Sequence, residues 1–212
     1  MLNLDASLAD AADCLGLELQ TSGRQQLLTF LQLLQRWNAT YNLTSVKDIE
    51  HMLSQHVLDC LAAVAPLAGY LGDQSARLLD VGSGGGLPGV VLAVVMPQLQ
   101  ITCVDTVGKK AAFIRQVASE LALPNLRAIH ARVEAMPGEF DVITSRAFAS
   151  LSLFCSLSQS RLADGGVWLA MKGKYPSDEI AELPKEINVF HVEQLRVPML
   201  DAERCLVWMR PS

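Results

Sequence analysis

The sequence has few cysteines, and their spacing fits neither a disulfide framework nor a metal site. Five cysteines are scattered over 212 residues, without a Cys-x-x-Cys pair, and the four histidines are equally dispersed. Secreted disulfide scaffolds and zinc sites require several cysteines at close, regular spacing. We therefore expect reduced cysteines, no metal and a cytoplasmic protein.

Long hydrophobic runs are also missing. Apolar runs such as GVVLAVVM at 89–96 are much shorter than the roughly 18 residues that span a bilayer. The start of the chain contains Asp5 and Asp10 and no basic residue, whereas a signal peptide begins with positive charge and continues with an unbroken apolar core. The sequence predicts neither export nor a membrane partner.

The chain lacks the positive charge of proteins that coat nucleic acid. Its net charge is −5, and the first 80 residues carry all of it, with four Lys/Arg against nine Asp/Glu. A nucleic-acid partner would have to meet local basic patches. The acidic amino-terminal region also favours a monomer.

After residue 75, short apolar runs alternate with longer amphipathic segments. This alternation is typical of βαβ units in a mostly parallel sheet covered on both faces. The last two runs, at 188–197 and 204–210, are joined only by a loop, which predicts an antiparallel pair at one edge. The other predicted strands are 76–81, 100–105, 126–131, 140–145 and 166–171, which makes seven, and the predicted helices are 87–96, 107–123 and 150–162.

The first 70 residues have a helical period instead. Leu27, Leu31 and Leu34 lie on one face of a predicted helix, with Thr21 or Ser22 as its N-cap. A second helix is predicted from Ile49 to Ala65, ended by Pro66 and Gly69. We expect residues 1–70 to form a helical extension packed on a core domain of residues 71–212.

The stretch DVGSGGGLPG, residues 80–89, contains five glycines and follows the first predicted strand. Glycine lets a ligand approach the main chain closely, and a strand-to-helix turn is where an open α/β sheet binds its ligand. Gly84, Gly86 and Gly89 fit the G-x-G-x-x-G dinucleotide pattern, whereas a start at Gly82 does not. A nicotinamide cofactor therefore remains an alternative at this point.

The charge of Asp80 favours S-adenosylmethionine over a dinucleotide. At an effective dielectric constant of about 20 and a separation of about 4 Å, each like-charge pair with a pyrophosphate would cost roughly 4 kcal/mol. The sulfonium and ammonium groups of S-adenosylmethionine are cationic, so we expect Asp80 to face that cofactor. Asp105, at the end of the second predicted strand, suits the ribose hydroxyls of either cofactor.

Several segments together resemble the glucose-inhibited division protein B family, the small-subunit ribosomal RNA guanine-N7 methyltransferases. The resemblance covers nearly the whole chain from about residue 15 and implies a class I, Rossmann-like methyltransferase fold. It also implies S-adenosylmethionine as donor and guanine 527 of 16S ribosomal RNA, alone or in the small subunit, as acceptor. The segments are RWNATYNLTS (36–45), HVLD (56–59), LLDVGSGGGLPG (78–89), D..GKK (105–110), SRAFAS (145–150), KG (172–173) and LDAERCLV (200–207).

The resemblance also implies roles for individual residues. It places Gly82 and Leu87 against the cofactor beside Gly84 of the glycine loop, and Asp105 at the ribose. Val133 and Glu134 are implied near the adenine, and Arg146 at the mouth of the site. Because guanine N7 already carries a lone pair, the reaction needs alignment more than a base. We therefore expect Arg146, the one catalytic candidate, to hold the guanine.

Basic and polar residues around the pocket are expected to contact the RNA. Asn42 and His56 match positions of the family motifs, while Arg132, Lys172 and Arg204 adjoin the ends of predicted strands.

Other candidates have a simpler interpretation. Lys109, Lys110 and Arg115 are basic, but they could equally solvate an exposed helix face. Trp37 and Tyr41 are interpreted as packing residues and not as platforms for bases. Beyond the leading hypothesis, a methyltransferase for a small molecule, a nicotinamide-dependent oxidoreductase and a non-enzymatic binding protein stay open.

Overall fold

In the computed structural model of the protein, residues 3–72 and 74–212 are described. Seven strands form one sheet in the order β3-β2-β1-β4-β5-β7-β6. The first five strands of that order are parallel, and β7 runs antiparallel to both of its neighbours. This confirms the predicted fold class. The strands are β1 (Arg77–Val81), β2 (Gln100–Asp105), β3 (Leu126–His130), β4 (Phe140–Arg146), β5 (Leu162–Lys172), β6 (Ile187–Leu195) and β7 (Arg204–Pro211).

Helices cover both faces of the sheet. A π-helical turn, Leu53–Leu58, joins α3 to α4, and short 3-10 turns occupy Val133–Ala135 and Gln159–Arg161. The helices are α1 (Leu4–Cys14), α2 (Thr21–Tyr41), α3 (Ile49–Met52), α4 (Asp59–Leu61), α5 (Val64–Leu71), α6 (Gly89–Val95), α7 (Gly108–Glu120), α8 (Leu151–Ser158) and α9 (Ser177–Ala181).

The amino-terminal helices differ from the prediction in their ends. The N-cap of α2 is Gln20, so Thr21 and Ser22 lie inside the first turn and their predicted capping role is wrong. Pro66 does not end a helix, because it lies in the first turn of α5, where a missing N–H breaks no helical hydrogen bond. That helix ends at Leu71, and α1 was not predicted at all.

One helical stretch has the length and composition of a membrane span. Ile49–Leu71 has a mean hydropathy of 1.2, but 72% of its most apolar window is buried inside the protein. A core helix has the same properties, because its apolar residues pack against the rest of the fold.

Two apolar clusters fill the space on the two faces of the sheet. Successive residues of β1 point to opposite faces, so Leu78 joins the larger cluster under α2 and α6, while Leu79 joins the smaller one under α8. Leu27, Leu31 and Leu34 of α2 are fully buried in the larger cluster. The amino-terminal helices thus share a core with the sheet, and a domain boundary at residue 70 stays a prediction.

The strand order also places the ligand-binding edge. Strand β1 pairs with β2 on one side and β4 on the other, so the chain reverses its winding direction between β1 and β4. Loops that leave the two strands at such a switch point diverge and open a crevice at the carboxyl ends.

Candidate functional site

A pocket of about 550 Å³ opens at the carboxyl ends of β1, β2 and β4. Its floor is formed by the start of the glycine loop and its walls by the loops after β2, β3 and β4. Lining residues include Gly82, Asp105, Lys110, Val133, Glu134 and Phe148. The structure therefore brings together predicted residues that lie more than 50 positions apart in the sequence.

The glycine loop presents bare main chain to this pocket. Gly82, Gly84 and Gly86 have φ angles of +68°, +55° and +83°, which L side chains rarely adopt. A Cβ on Gly82 would also overlap the ring of Phe148, whereas at Gly84 only the Gly82 carbonyl oxygen, 3.9 Å away, is near. Gly82, which lines the pocket, thus requires both the backbone angle and the missing side chain. Gly86 has the same two requirements, but there a Cβ would lie 2.6 Å from Val90 of α6 and not against a residue of the pocket.

The carboxylate of Asp105 links the glycine loop to the loop that follows β2. Its Oδ2 accepts a hydrogen bond from Gly84 N at 3.0 Å, and its Oδ1 accepts one from Val107 N at 2.8 Å. Lys110 Nζ lies 3.8 Å from Oδ2. The carboxylate lines the pocket with fixed orientation, as a residue that receives ribose hydroxyls would have to.

Asp80 does not face the pocket, which corrects the expectation from its charge. The side chain is fully buried beneath α6, where Oδ2 accepts a hydrogen bond from Gly89 N at 2.9 Å and Oδ1 has no partner. Burial raises the pKa of its carboxyl to about 7, against the opposing effects of the Gly89 N–H and Arg146. A carboxyl group that is buried outside the pocket lining makes no direct contact with a bound cofactor, so the argument from its charge loses its premise.

The raised pKa of Asp80 predicts a specific pH dependence of stability. Because the folded pKa of about 7 exceeds the ordinary 3.8, the folded state binds more protons between these values, and stability falls as pH rises through that window. Asp80→Asn removes this proton uptake. We expect the variant to gain stability relative to wild type between pH 5 and pH 7.5, measured by urea unfolding. A difference that stays constant with pH would show that Asp80 titrates normally.

Of the remaining residues predicted to bind the cofactor, two line the pocket and one does not. Val133 and Glu134 line the pocket from the 3-10 turn after β3, where the resemblance places the adenine. Leu87 does not reach it, because its side chain is 5% exposed and packs in the core around α6. The expected contact of Leu87 with the cofactor stays a prediction, and in this structure the side chain does not line the pocket.

Arg146, at the end of β4, is not among the residues that line the pocket, and its guanidinium belongs to a polar cluster beneath the amino-terminal helices. Its Nη1 donates to the Gln55 carbonyl and to Asp59 Oδ2, both at 3.1 Å. Asp59 Oδ1 also accepts a 2.8 Å bond from Arg204 Nε. Asp59 is buried and the arginine side chains are only 20% and 25% exposed. The expected place of Arg146 at the mouth of the site stays a prediction.

His56 belongs to the same cluster. Its Nε2 lies 2.8 Å from Thr44 Oγ1 and its Nδ1 lies 3.4 Å from Arg146 Nη2. Arg146 can only donate, so Nδ1 accepts and the ring is neutral with its proton on Nε2. Burial, followed by the charge of Arg146, lowers the pKa of His56 to about 4. Two arginines and a neutral histidine against Asp59 leave the cluster with one excess positive charge.

The other predicted RNA contacts lie in different settings. Lys172 has partners within the protein, since its Nζ donates to Glu179 at 2.7 Å and to the Ala149 carbonyl at 3.0 Å, and its contact with RNA stays a prediction. Arg132 is exposed at the rim of the pocket, 3.6 Å from Glu134. Asn42 is exposed and ends α2 with a φ of +50°, a conformation that asparagine adopts more readily than most residues.

Sequence reasoning missed Phe148 as a site residue, although it stands in the family-like segment SRAFAS. Among residues 3–72 and 74–212, no group of three His, Cys, Asp or Glu side chains could hold a metal.

The sheet order, the single antiparallel strand β7 and the glycine-loop pocket define a class I methyltransferase fold. TrmN from Thermus thermophilus superposes with a TM-score of 0.55, at 17% identity over 76% of this chain and 53% of TrmN. A complex of MtNAS with MTA and tNA superposes with a TM-score of 0.59, at 13% identity over 97% of this chain and 81% of the other. At these identities the similarity concerns the fold alone.

The sequence comparisons are more specific. The profile of GidB, described as rRNA small subunit methyltransferase G, matches residues 23–207. Proteins called ribosomal RNA small subunit methyltransferase G are 59% identical in Paracidovorax citrulli, over 98% of this chain and 90% of the relative, and 56% identical in Acidovorax ebreus, over 99% and 96%. The chain belongs to the rRNA small subunit methyltransferase G family, which confirms the resemblance and makes it a ribosomal RNA methyltransferase.

Proposed function

We propose that this protein transfers a methyl group from S-adenosylmethionine to N7 of guanine 527 in 16S ribosomal RNA. One observation carries the proposal: the pocket at the β1–β4 switch point presents a bare Gly82 and an oriented Asp105 in a chain of a ribosomal RNA methyltransferase family. When bound, S-adenosylmethionine supplies an electrophilic methyl group.

The residues of the pocket fit this cofactor. A volume of about 550 Å³ lies within the usual range for small-molecule sites. A carboxylate has about four lone-pair positions, and two backbone N–H groups occupy only part of those of Asp105. Ribose hydroxyls can therefore donate to Asp105, while Gly82 permits close approach and Val133 and Glu134 border the adenine.

The chemistry asks mainly for alignment. Guanine N7 has an in-plane lone pair, so no side chain has to remove a proton before attack, and positioning can contribute about 7–11 kcal/mol. Arg146 has five N–H donors, of which three are used by Gln55, Asp59 and His56. We assign it to the substrate side of the site, where a remaining N–H can hold guanine O6.

The direct test is to disrupt this protein in its host and to cleave 16S RNA with borohydride and aniline, which breaks the chain at N7-methylguanine. We expect cleavage at position 527 in wild type, no cleavage in the disrupted strain, and restoration by the intact protein. Persistent cleavage at 527 without the protein would overturn the assignment. Loss of cleavage at another guanine would support N7 methylation by this protein but would refute position 527 as its target.

Replacing Asp105 tests the cofactor site separately. Asp105→Ala removes the acceptor for Gly84 N and for the ribose, so we expect donor affinity to fall about tenfold or more, since a hydrogen bond to a charged group is worth about 1.5–3 kcal/mol. Asp105→Asn, which keeps one acceptor oxygen, should lose less. Calorimetric titration measures both, with circular dichroism as the check on folding. Unchanged affinity in the alanine variant would remove Asp105 from the site.

A further inference from the structure

Three of the predicted RNA contacts already have partners within the protein, which raises the question of what else the RNA backbone binds. His56 is buried, and Lys172 and Arg204 each donate to a carboxylate of this chain. A further RNA surface is therefore sought elsewhere near the pocket.

An exposed aromatic ring stands at the carboxyl end of α2. Tyr41 is 39% exposed, and its ring centroid lies 5.0 Å from that of Trp37. Trp37 is held in turn against Phe113 of α7, at 5.4 Å. The ring of Tyr41 thus packs against Trp37, in line with the packing role predicted for it, and is also partly exposed to solvent.

A cation lies beside this ring. Lys109 Nζ is 6.0 Å from the Tyr41 centroid, at the outer limit of a cation–π contact, and within the described chain Lys109 forms no ion pair. Lysines are least favourable in the first turn of a helix, where the dipole is positive, so helix stability does not explain this residue. The next residue, Lys110, is at the rim of the pocket.

We infer that Tyr41, Asn42 and Lys109, here called the α2–α7 corner, bind single-stranded nucleotides flanking the target guanine, an inference that rests on the proposed function. A supported aromatic ring stacks a base, and a neighbouring lysine without an ion pair meets its phosphate, which is the combination that binds single-stranded RNA. Asn42, the next residue in the chain, is also exposed. Lys110 makes the corner continuous with the pocket, so the occupant is the same RNA strand that carries the target.

The ring is tested with Tyr41→Ala and Tyr41→Phe. The probe is a fluorescent single-stranded RNA with the sequence around guanine 527, titrated without methyl donor. We expect about tenfold weaker binding for alanine and nearly wild-type binding for phenylalanine, because stacking is lost only in the first. Tyr70→Ala is the matched control. Tyr70 lies on α5, is 45% exposed and also packs on a tryptophan, with its ring centroid 4.9 Å from that of Trp208. Wild-type affinity in Tyr41→Ala, or equal losses in both alanine variants, would overturn the inference.

The cation is tested with Lys109→Gln over a salt series. Loss of one phosphate contact should reduce the slope of log affinity against log salt by about one. An unchanged slope would remove Lys109 from the surface.

Methylation assays separate the RNA from a protein partner. We expect Tyr41→Ala to raise KM about tenfold on protein-free 16S RNA, with donor affinity unchanged, because Tyr41 does not line the pocket. A defect confined to intact small subunits would mean that the corner contacts a ribosomal protein, and the inference would be wrong. If the wild-type protein methylates no guanine N7, the proposed function fails instead. The binding measurements then still show whether the α2–α7 corner binds single-stranded RNA.

Discussion

Gly82→Ala is expected to reduce methyl transfer about 100-fold or more, mainly through lost binding of the methyl donor. Two costs combine at this position. The φ of +68° is strained for any residue with a Cβ, by about 1–3 kcal/mol, and the new methyl group would overlap Phe148 on the floor of the pocket. Movement of Phe148 or of the loop to relieve the overlap would distort the surface that receives the donor. Calorimetry with S-adenosylmethionine and single-turnover methylation measure the two losses.

Gly138→Ala and Gly84→Ala serve as controls for this prediction. Gly138 has a φ of +86° and open space where its Cβ would lie, so alanine there brings strain without an overlap, outside the pocket. Gly84 is within the loop and also has open space on that side. We expect near-normal donor binding for Gly138→Ala and an intermediate loss for Gly84→Ala. Equal losses in the three variants would mean that strain alone, and not close approach, explains the effect at Gly82.

Asp59→Asn should be the most destabilising single change among the charged residues of the site. Asp59 accepts hydrogen bonds from both Arg146 and Arg204, and its side chain is 3% exposed. Removing its charge leaves two guanidinium groups poorly compensated in a region that water barely reaches, and breaking such a buried pair costs about 3–5 kcal/mol. We expect a corresponding fall in the free energy of unfolding, measured in urea, and a loss of methylation.

Asp141→Asn is the matched control for Asp59→Asn. Asp141 also binds an arginine, with Arg77 Nη2 at 3.2 Å, but both side chains are about half exposed. Solvent compensates the freed charge there, so stability should remain near wild type. If the two variants unfold at the same urea concentration, the cluster around Asp59 is not a buried charge network in solution.

The local pattern was sufficient for most of the fold. The run at 100–105 forms β2 with the predicted bounds, because a short continuous run of mostly apolar residues, with β-branched ones among them, is a local signal of a strand buried on both faces. The helix of 107–123 is observed as Gly108–Glu120. What failed were helix ends such as Thr21 and Pro66, since the same residue types occur both at caps and inside first turns. The insertion of β7 between β5 and β6 was also not predicted, because pairing partners are chosen by contacts distant in sequence.

The sequence by itself determined the class of this protein: βαβ alternation predicts the sheet, and a glycine-rich turn after the first strand predicts a ligand at its edge. Both follow from conformational preferences over ten residues or fewer. Only the tertiary structure decided what each charge does, because Asp59 meets Arg204 across 145 positions and Asp80 is sealed under a helix that begins nine residues later. Charge acts through distance and burial, and both are properties of the folded chain.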